Sequence, residues 1–140
     1  MFKLDLKDKV ILITGGSDGL GFASAKLLSK EGAKIIICGR RRDYLKEKAN
    51  IIREETGNEV LDIVCDVTSS DECKSLVEKT ISNFKSIDVL VNNAGTSAAA
   101  GFEEVSDKAW EDDINLKLMA AIRVSRLVVP YMKEKKKGSI

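Results

Sequence analysis

Apolar residues fall along this chain in two alternating rhythms. Short runs rich in β-branched residues occupy 10–13, 35–38, 60–65 and 89–91, and longer stretches between them repeat an apolar residue every three or four positions. The first rhythm predicts buried strands and the second amphipathic helices. A first helix is expected over 20–30, with Leu20, Ala23, Leu27 and Leu28 on one face and Glu31-Gly32 as its stop. A second, over 43–55, carries the stripe Leu45, Ala49 and Ile52, and Gly57 marks its end. Ser69 or Ser70 can cap a third, whose apolar side is Cys73, Leu76, Val77 and Ile81.

A long fourth helix is expected over 107–135, with Ser106 as its cap and Trp110, Ile114, Leu118, Ala121 and Val124 at helical intervals. Pro130 is expected to bend it or to end its regular part. The lysine-rich run at 133–137 reads as a solvated helix terminus, with a phosphate-binding patch as the alternative. Four strand–helix units in succession imply an α/β fold, a doubly wound parallel sheet with right-handed crossovers and helices on both faces. Gly138-Ser139-Ile140 looks like the opening of a fifth strand, so the sheet reads as incomplete after the fourth helix. The whole of 1–140 is then one domain whose C-terminal part is missing.

Charge and composition narrow the chemistry. The 23 Lys and Arg nearly balance 22 Asp and Glu, which gives no electrostatic argument for nucleic acid or a membrane surface. Residues 1–9 alternate charged and apolar groups, unlike a signal peptide, and no apolar run approaches spanning length, so the chain reads as soluble and cytoplasmic. Cys38, Cys65 and Cys73 are odd in number and widely spaced, which suits buried reduced thiols. There is no histidine. Imidazole acid–base chemistry and most zinc sites are thereby excluded, and no metal ligand set is expected.

The chemistry concentrates where the first strand gives way to the first helix, at Thr14-Gly15-Gly16-Ser17-Asp18-Gly19-Leu20-Gly21. Such a strand–turn–helix suits a dinucleotide pyrophosphate. Gly15 and Gly19 permit a tight turn and close backbone approach, Gly21 allows the helix to pack against the strand, and the helix N-terminus offers N–H donors. Asn92-Asn93-Ala94-Gly95 follows the fourth strand, where the amides can bond neighbouring loops and the small residues leave room for a flat ligand; a purely structural turn is the alternative. Asp66 could equally be a cap or turn residue. Asn115 is unexpected in mid-helix, because its amide must find partners.

The ordered set Thr14-Gly15-x-x-x-Gly19-x-Gly21, Asp66-Val67, Asn93-Ala94-Gly95 and Asn115 resembles the short-chain dehydrogenase/reductase family over essentially the whole chain. The resemblance implies a Rossmann-like fold and hydride transfer between a nicotinamide cofactor and a small carbonyl or alcohol, with 3-oxoacyl reduction the most frequent guess. It places Ser17, Asp18, Leu20 and the motif residues at the cofactor, Asp66 against the adenine, and Asn115 in support of a proton-relay water. It also implies a homo-oligomer, dimer or tetramer, for which the stripe Trp110, Ile114 and Leu118 is either an interface or core packing.

After the second strand, Gly39 stands where NAD-preferring relatives often carry aspartate, and Arg40 and Arg41 supply donors that suit the 2′-phosphate of NADP. NAD is the alternative, since the arginines could be a solvated helix start and Asp18 stands where NADP users often carry a base. The family's catalytic serine, tyrosine and lysine have no counterpart here. Tyr131 and Lys135 have the Tyr-x-x-x-Lys spacing but precede the fifth strand, one strand and one helix too early. The complete protein is therefore expected to be an enzyme and this chain alone inactive; the alternative is a non-catalytic nucleotide-binding or interaction module.

Overall fold

In the computed structural model, which describes residues 4–97 and 99–140, strands Val10–Thr14 (β1), Lys34–Gly39 (β2), Val60–Val64 (β3) and Val89–Val91 (β4) form one parallel sheet. Their order is β3-β2-β1-β4. The register sets Leu12 opposite both Ile36 and Leu90, and Ile36 opposite Leu61, so one apolar row crosses all four strands.

Alternation along each strand divides the core in two. Val10, Leu12, Ile36, Cys38 and Ile63 face helices Ser70–Phe84 (α3) and Ala120–Glu134 (α5). Ile11, Ile13, Ile35 and Ile37 face Gly19–Lys30 (α1) and Arg42–Thr56 (α2). Because both faces are covered, the central strands are continuous apolar runs with no polar alternation. Ser139 bridges Val89 in parallel, with Leu90 N–H donating to Ser139 O and Ser139 N–H to Asp88 O, each at 3.0 Å. The chain thus begins to pair along the outer side of β4.

Several local signals act as read. Ser69 caps α3 by accepting from Glu72 N–H, and Gly57 ends α2 in the left-handed region at φ 69°. Ser106 caps the helix Asp107–Ile114 (α4) by accepting from Ala109 N–H. The N-terminal alternation read from residue 1 lies partly outside the described residues.

Two helix faces differ from expectation. Leu20 and Leu27 are 82% and 61% exposed, and the buried line of α1 is Gly21, Ala25 and Ser29. The cause is Gly21: a Cβ there would stand 2.3 Å from Gly15 O, so only glycine fits and the helix is turned to present it to the turn after β1. The long fourth helix is the second case. It comprises α4, a π-helical segment Asn115–Met119, and α5. Trp110, Ile114 and Leu118 are 46%, 47% and 55% exposed and do not enter the core, whereas Ala120, Val124, Val128 and Met132 do. The helix α4 carries no buried residue, and the buried line begins only at Ala120, after the π-helical segment. Pro130 does not end α5, which runs on to Glu134.

Candidate dinucleotide site

The strands proceed from β1 to β2 to β3 in one direction and then return to place β4 on the other side of β1. In an open parallel sheet, this reversal leaves a crevice at the carboxyl ends of the strands. The crevice here is a cleft of about 770 Å³. Its lining includes Gly15, Ser17, Asp18, Arg40, Arg41, Asp66, Val67, Ala94, Gly95 and Asn115. Residues separated by as much as a hundred positions in sequence therefore share one wall.

The remaining motif residues build the cleft without lining it. Thr14 is buried, and its Oγ1 accepts from Asn93 N–H and Ala94 N–H, both at 3.1 Å. The Asn93 amide donates to Thr14 O and Gly15 O at 3.0 Å each. Together these bonds tie the glycine-rich turn after β1 to the loop after β4. Gly15 has φ 65°, and a Cβ on it would stand 2.9 Å from Ala94 Cα, so this turn requires glycine both for conformation and for space. Gly19 and Leu20 form the exposed first turn of α1, and Asp18 Oδ1 caps the helix by accepting from Gly19 N–H at 2.9 Å. Asn92 instead donates to Ser125 Oγ on α5 at 3.2 Å.

Charge alternates along the β2 side of the cleft. Arg41 Nη2 stands 3.6 Å from Asp18 Oδ2, and its guanidinium carbon lies 4.0 Å from the centre of the Tyr44 ring. Asp66 accepts from both the Thr68 backbone N–H and its hydroxyl, closing an Asx turn. Burial would raise the Asp66 carboxyl, but these two bonds and the nearby Arg40 charge outweigh it and hold the group below its ordinary value. The residue is thus an ionised turn carboxylate with one edge on the cleft.

Asn115 opens the π-helical segment, and its backbone oxygen accepts from Ala120 N–H across that wider turn. Arg123 holds the side chain, donating to Asn115 Oδ1 at 2.6 Å. This partnership answers how a mid-helix amide is satisfied. Sequence reasoning missed Arg123, though its place eight residues on, a little over two helical turns, puts it near the same face. It also missed Tyr44, three residues beyond Arg41 at the start of α2, and Lys117, whose Nζ pairs with Asp113 at 2.8 Å and whose stem lies against Gly95.

Tyr131 and Lys135 lie at the other end of the sheet. Lys135 Nζ pairs with Asp88 at 2.5 Å, and Asp88 immediately precedes β4, at the amino edge of the strands. They cannot reach the cleft. All three cysteines are free and buried, with Cys38 and Cys65 among the residues that line the cleft.

A parallel sheet wound in both directions from β1, with a glycine-rich turn at the reversal, makes this chain a Rossmann-like α/β protein. Residues 9–140 match the family described as short chain dehydrogenase, and the chain belongs to that family. It is 38% identical to the 3-oxoacyl-[acyl-carrier-protein] reductase FabG of Thermotoga maritima over 96% of this chain and 54% of that protein. The L-sorbose reductase of Gluconobacter frateurii, complexed with NADPH and L-sorbose, superposes with a TM-score of 0.94 at 37% identity, over 98% of this chain and 52% of that one. An NAD+-bound xylitol dehydrogenase gives 0.91 at 30% identity, covering 96% and 52%. The chain spans about half the length of the curated relatives it matches. Among the described residues, no helix is long and apolar enough to cross a membrane.

Proposed function

We propose that the protein carrying this chain is an NADP(H)-dependent oxidoreductase that transfers hydride between the cofactor and a small carbonyl or alcohol, in the manner of a 3-oxoacyl or ketose reductase. The observation that carries this reading is the shared wall of the cleft, where the glycine-rich turn, the Arg40–Arg41 pair, Asp66 and Ala94-Gly95 meet. The groups fit a dinucleotide. Gly19 has open space where a Cβ would stand, so a diphosphate can approach the backbone at the start of α1, and two guanidinium groups at the end of β2 suit a 2′-phosphate. Bound NADP(H) would supply the hydride. This chain's residues would hold the adenosine and diphosphate on the β1–β3 side, and Asn115 would orient a proton-carrying water on the β4 side. The exposed stripe Trp110, Ile114 and Leu118 suits a homo-oligomer, dimer or tetramer, and a cytoplasmic location accords with this chemistry.

The test is oxidation of NADPH by the full-length protein against a panel of 3-oxoacyl thioesters, ketoses and simple ketones, with NADH in parallel. Turnover that favours NADPH supports the reading. Tight dinucleotide binding without turnover on any carbonyl or alcohol would replace it with the non-catalytic nucleotide-binding module.

A further inference from the structure

We propose that Arg123 is a positioning residue that fixes which end of the Asn115 amide the cleft sees, and thereby the direction in which a water held there can pass a proton. The inference rests on the oxidoreductase reading above and deepens it. Arg123 stands on α5, outside the cleft lining, and reaches back over the π-helical segment to Asn115. Its Nη2 donates to Asn115 Oδ1 at 2.6 Å, and its Nη1 donates to the Asn115 backbone oxygen at a longer 3.4 Å. One guanidinium therefore grips both oxygens of a single residue, a fork that the compact ammonium of lysine does not make.

The chemistry of the partner decides the amide's orientation. A guanidinium only donates, so the amide atom 2.6 Å from it is the oxygen, and the nitrogen points the other way. Among the described residues every buried side-chain nitrogen or oxygen has a partner, and Asn115 Nδ2 has none, so this nitrogen is open to solvent. Asn115 also lines the cleft. The polar side chains around the β4 loop are committed elsewhere: Asn92 to Ser125, the Asn93 amide to the turn after β1, and Lys117 to Asp113. The β4 side of the cleft thus meets Asn115 as a donor of hydrogen bonds.

Direction follows from that polarity. A water held by the Nδ2 group is held through its oxygen, which leaves both of its protons free to face the reacting group. The opposite orientation would present Oδ1, take up one of those protons and turn the water round. The two ends of an asparagine amide are nearly alike in shape, so only their hydrogen bonds tell them apart, and Arg123 supplies the difference. Its charge reinforces the effect. Arg123 is half-buried and pairs with no carboxylate among the described residues, so its field acts along the amide and strengthens the far N–H as a donor.

Steady-state kinetics of the full-length protein with NADPH and the carbonyl it reduces fastest test the proposal, with NADPH titration and urea unfolding of each variant in parallel. Arg123→Met should lower kcat at least about ten-fold, as misplacement of a proton-transfer group predicts, with KM and the NADPH Kd within about two-fold of wild type. Arg123→Lys, which keeps a donor without the fork, should recover most of that loss. Asn115→Ala should lose at least as much as Arg123→Met, and the double variant no more than Asn115→Ala, because Arg123 acts through Asn115. A further readout needs no cofactor: the Asn115 side-chain amide signal in NMR spectra, assigned by its loss in Asn115→Ala, should move in Arg123→Met to the position of a freely rotating amide. If Asn115→Ala lowers kcat but Arg123→Met does not, or if the two losses multiply in the double variant, the positioning role is wrong and the oxidoreductase reading stands. An amide signal unmoved by Arg123→Met, or a kcat unchanged by Asn115→Ala, overturns the inference in the same way. If the full-length protein turns over no carbonyl or alcohol, the oxidoreductase reading falls and the proton-directing role falls with it.

Discussion

Replacing Gly21 with alanine should loosen both the fold and the cofactor site, and the structure sets the scale. The added Cβ would lie 2.3 Å from Gly15 O and 2.4 Å from Asn93 Nδ2. Both are more than 1 Å inside the roughly 3.5–4.0 Å optimum for non-bonded heavy atoms. Overpacking at such a point costs about 1–3 kcal/mol. Displacing the Asn93 amide also removes its bonds to Thr14 O and Gly15 O, at about 0.5–1.5 kcal/mol each. Alanine returns about 1 kcal/mol of helix propensity. The net loss is about 3 kcal/mol, which at about 2 kcal/mol per molar lowers the urea midpoint by about 1.5 M. A shift of about 1 Å in the turn should also weaken dinucleotide binding at least ten-fold. Gly57→Ala is the control: at φ 69° with no atom within 4 Å, it carries backbone strain alone, about 1 kcal/mol, and leaves the cofactor affinity unchanged. A Gly21→Ala protein within about 0.3 M of the wild-type midpoint, binding cofactor as the wild type does, would refute the close-packing argument.

Three further outcomes are expected. Thr14→Val removes the hydroxyl that accepts from Asn93 and Ala94 N–H and should cost about 1–3 kcal/mol by urea unfolding, while Thr14→Ser costs under about 1 kcal/mol. Burial would raise the Asp88 carboxyl, but the Lys135 ammonium, Val10 N–H and Lys9 outweigh it and depress it, so its contribution is present above the unfolded value near pH 4 and is lost as pH falls through the native one. Asp88→Asn should therefore destabilise the protein at pH 7, and its difference from wild type should shrink as pH is lowered below about 4, measured by unfolding across that range. The Cys65 thiol is pushed up to about 12 by its contact with the Cys38 sulfur and by burial, and Cys73 is raised by Cys65 and by burial, so neither should react with iodoacetamide at pH 8 until urea unfolds the chain.

The strands were legible because each is a short β-branched run bounded by a cap or glycine, and burial on both faces made those runs continuous. Ser69, Gly57 and Ser106 act locally, within four residues, and could be read from spacing alone. Helix rotation was not legible. The face of α1 is set by the clearance between Gly21 and Gly15 O, and no count of leucines reports it. The regular stripe Trp110, Ile114 and Leu118 likewise looked like a core face, yet α4 has no buried residue and the core line starts at Ala120. In the site, the glycines and arginines announced themselves through chemistry. Their division into lining and support did not, because the Thr14–Asn93 bonds span 79 positions.

That long-range tie changes how variants of this site must be interpreted. Gly15, Gly21, Thr14 and Asn93 form one packed knot in which the turn after β1 is shaped by the loop after β4. A substitution at Asn93 displaces the glycine-rich turn although its amide points at backbone carbonyls and not into the cleft. It should raise the Kd for NADPH and NADH by the same factor, together with a loss of stability. Arg41 stands outside the knot, on an exposed rim, and its loss should alter the ratio of the two affinities with stability nearly unchanged. The two signatures separate residues that build the cleft from residues that read the ligand, a distinction that motif matching alone does not make.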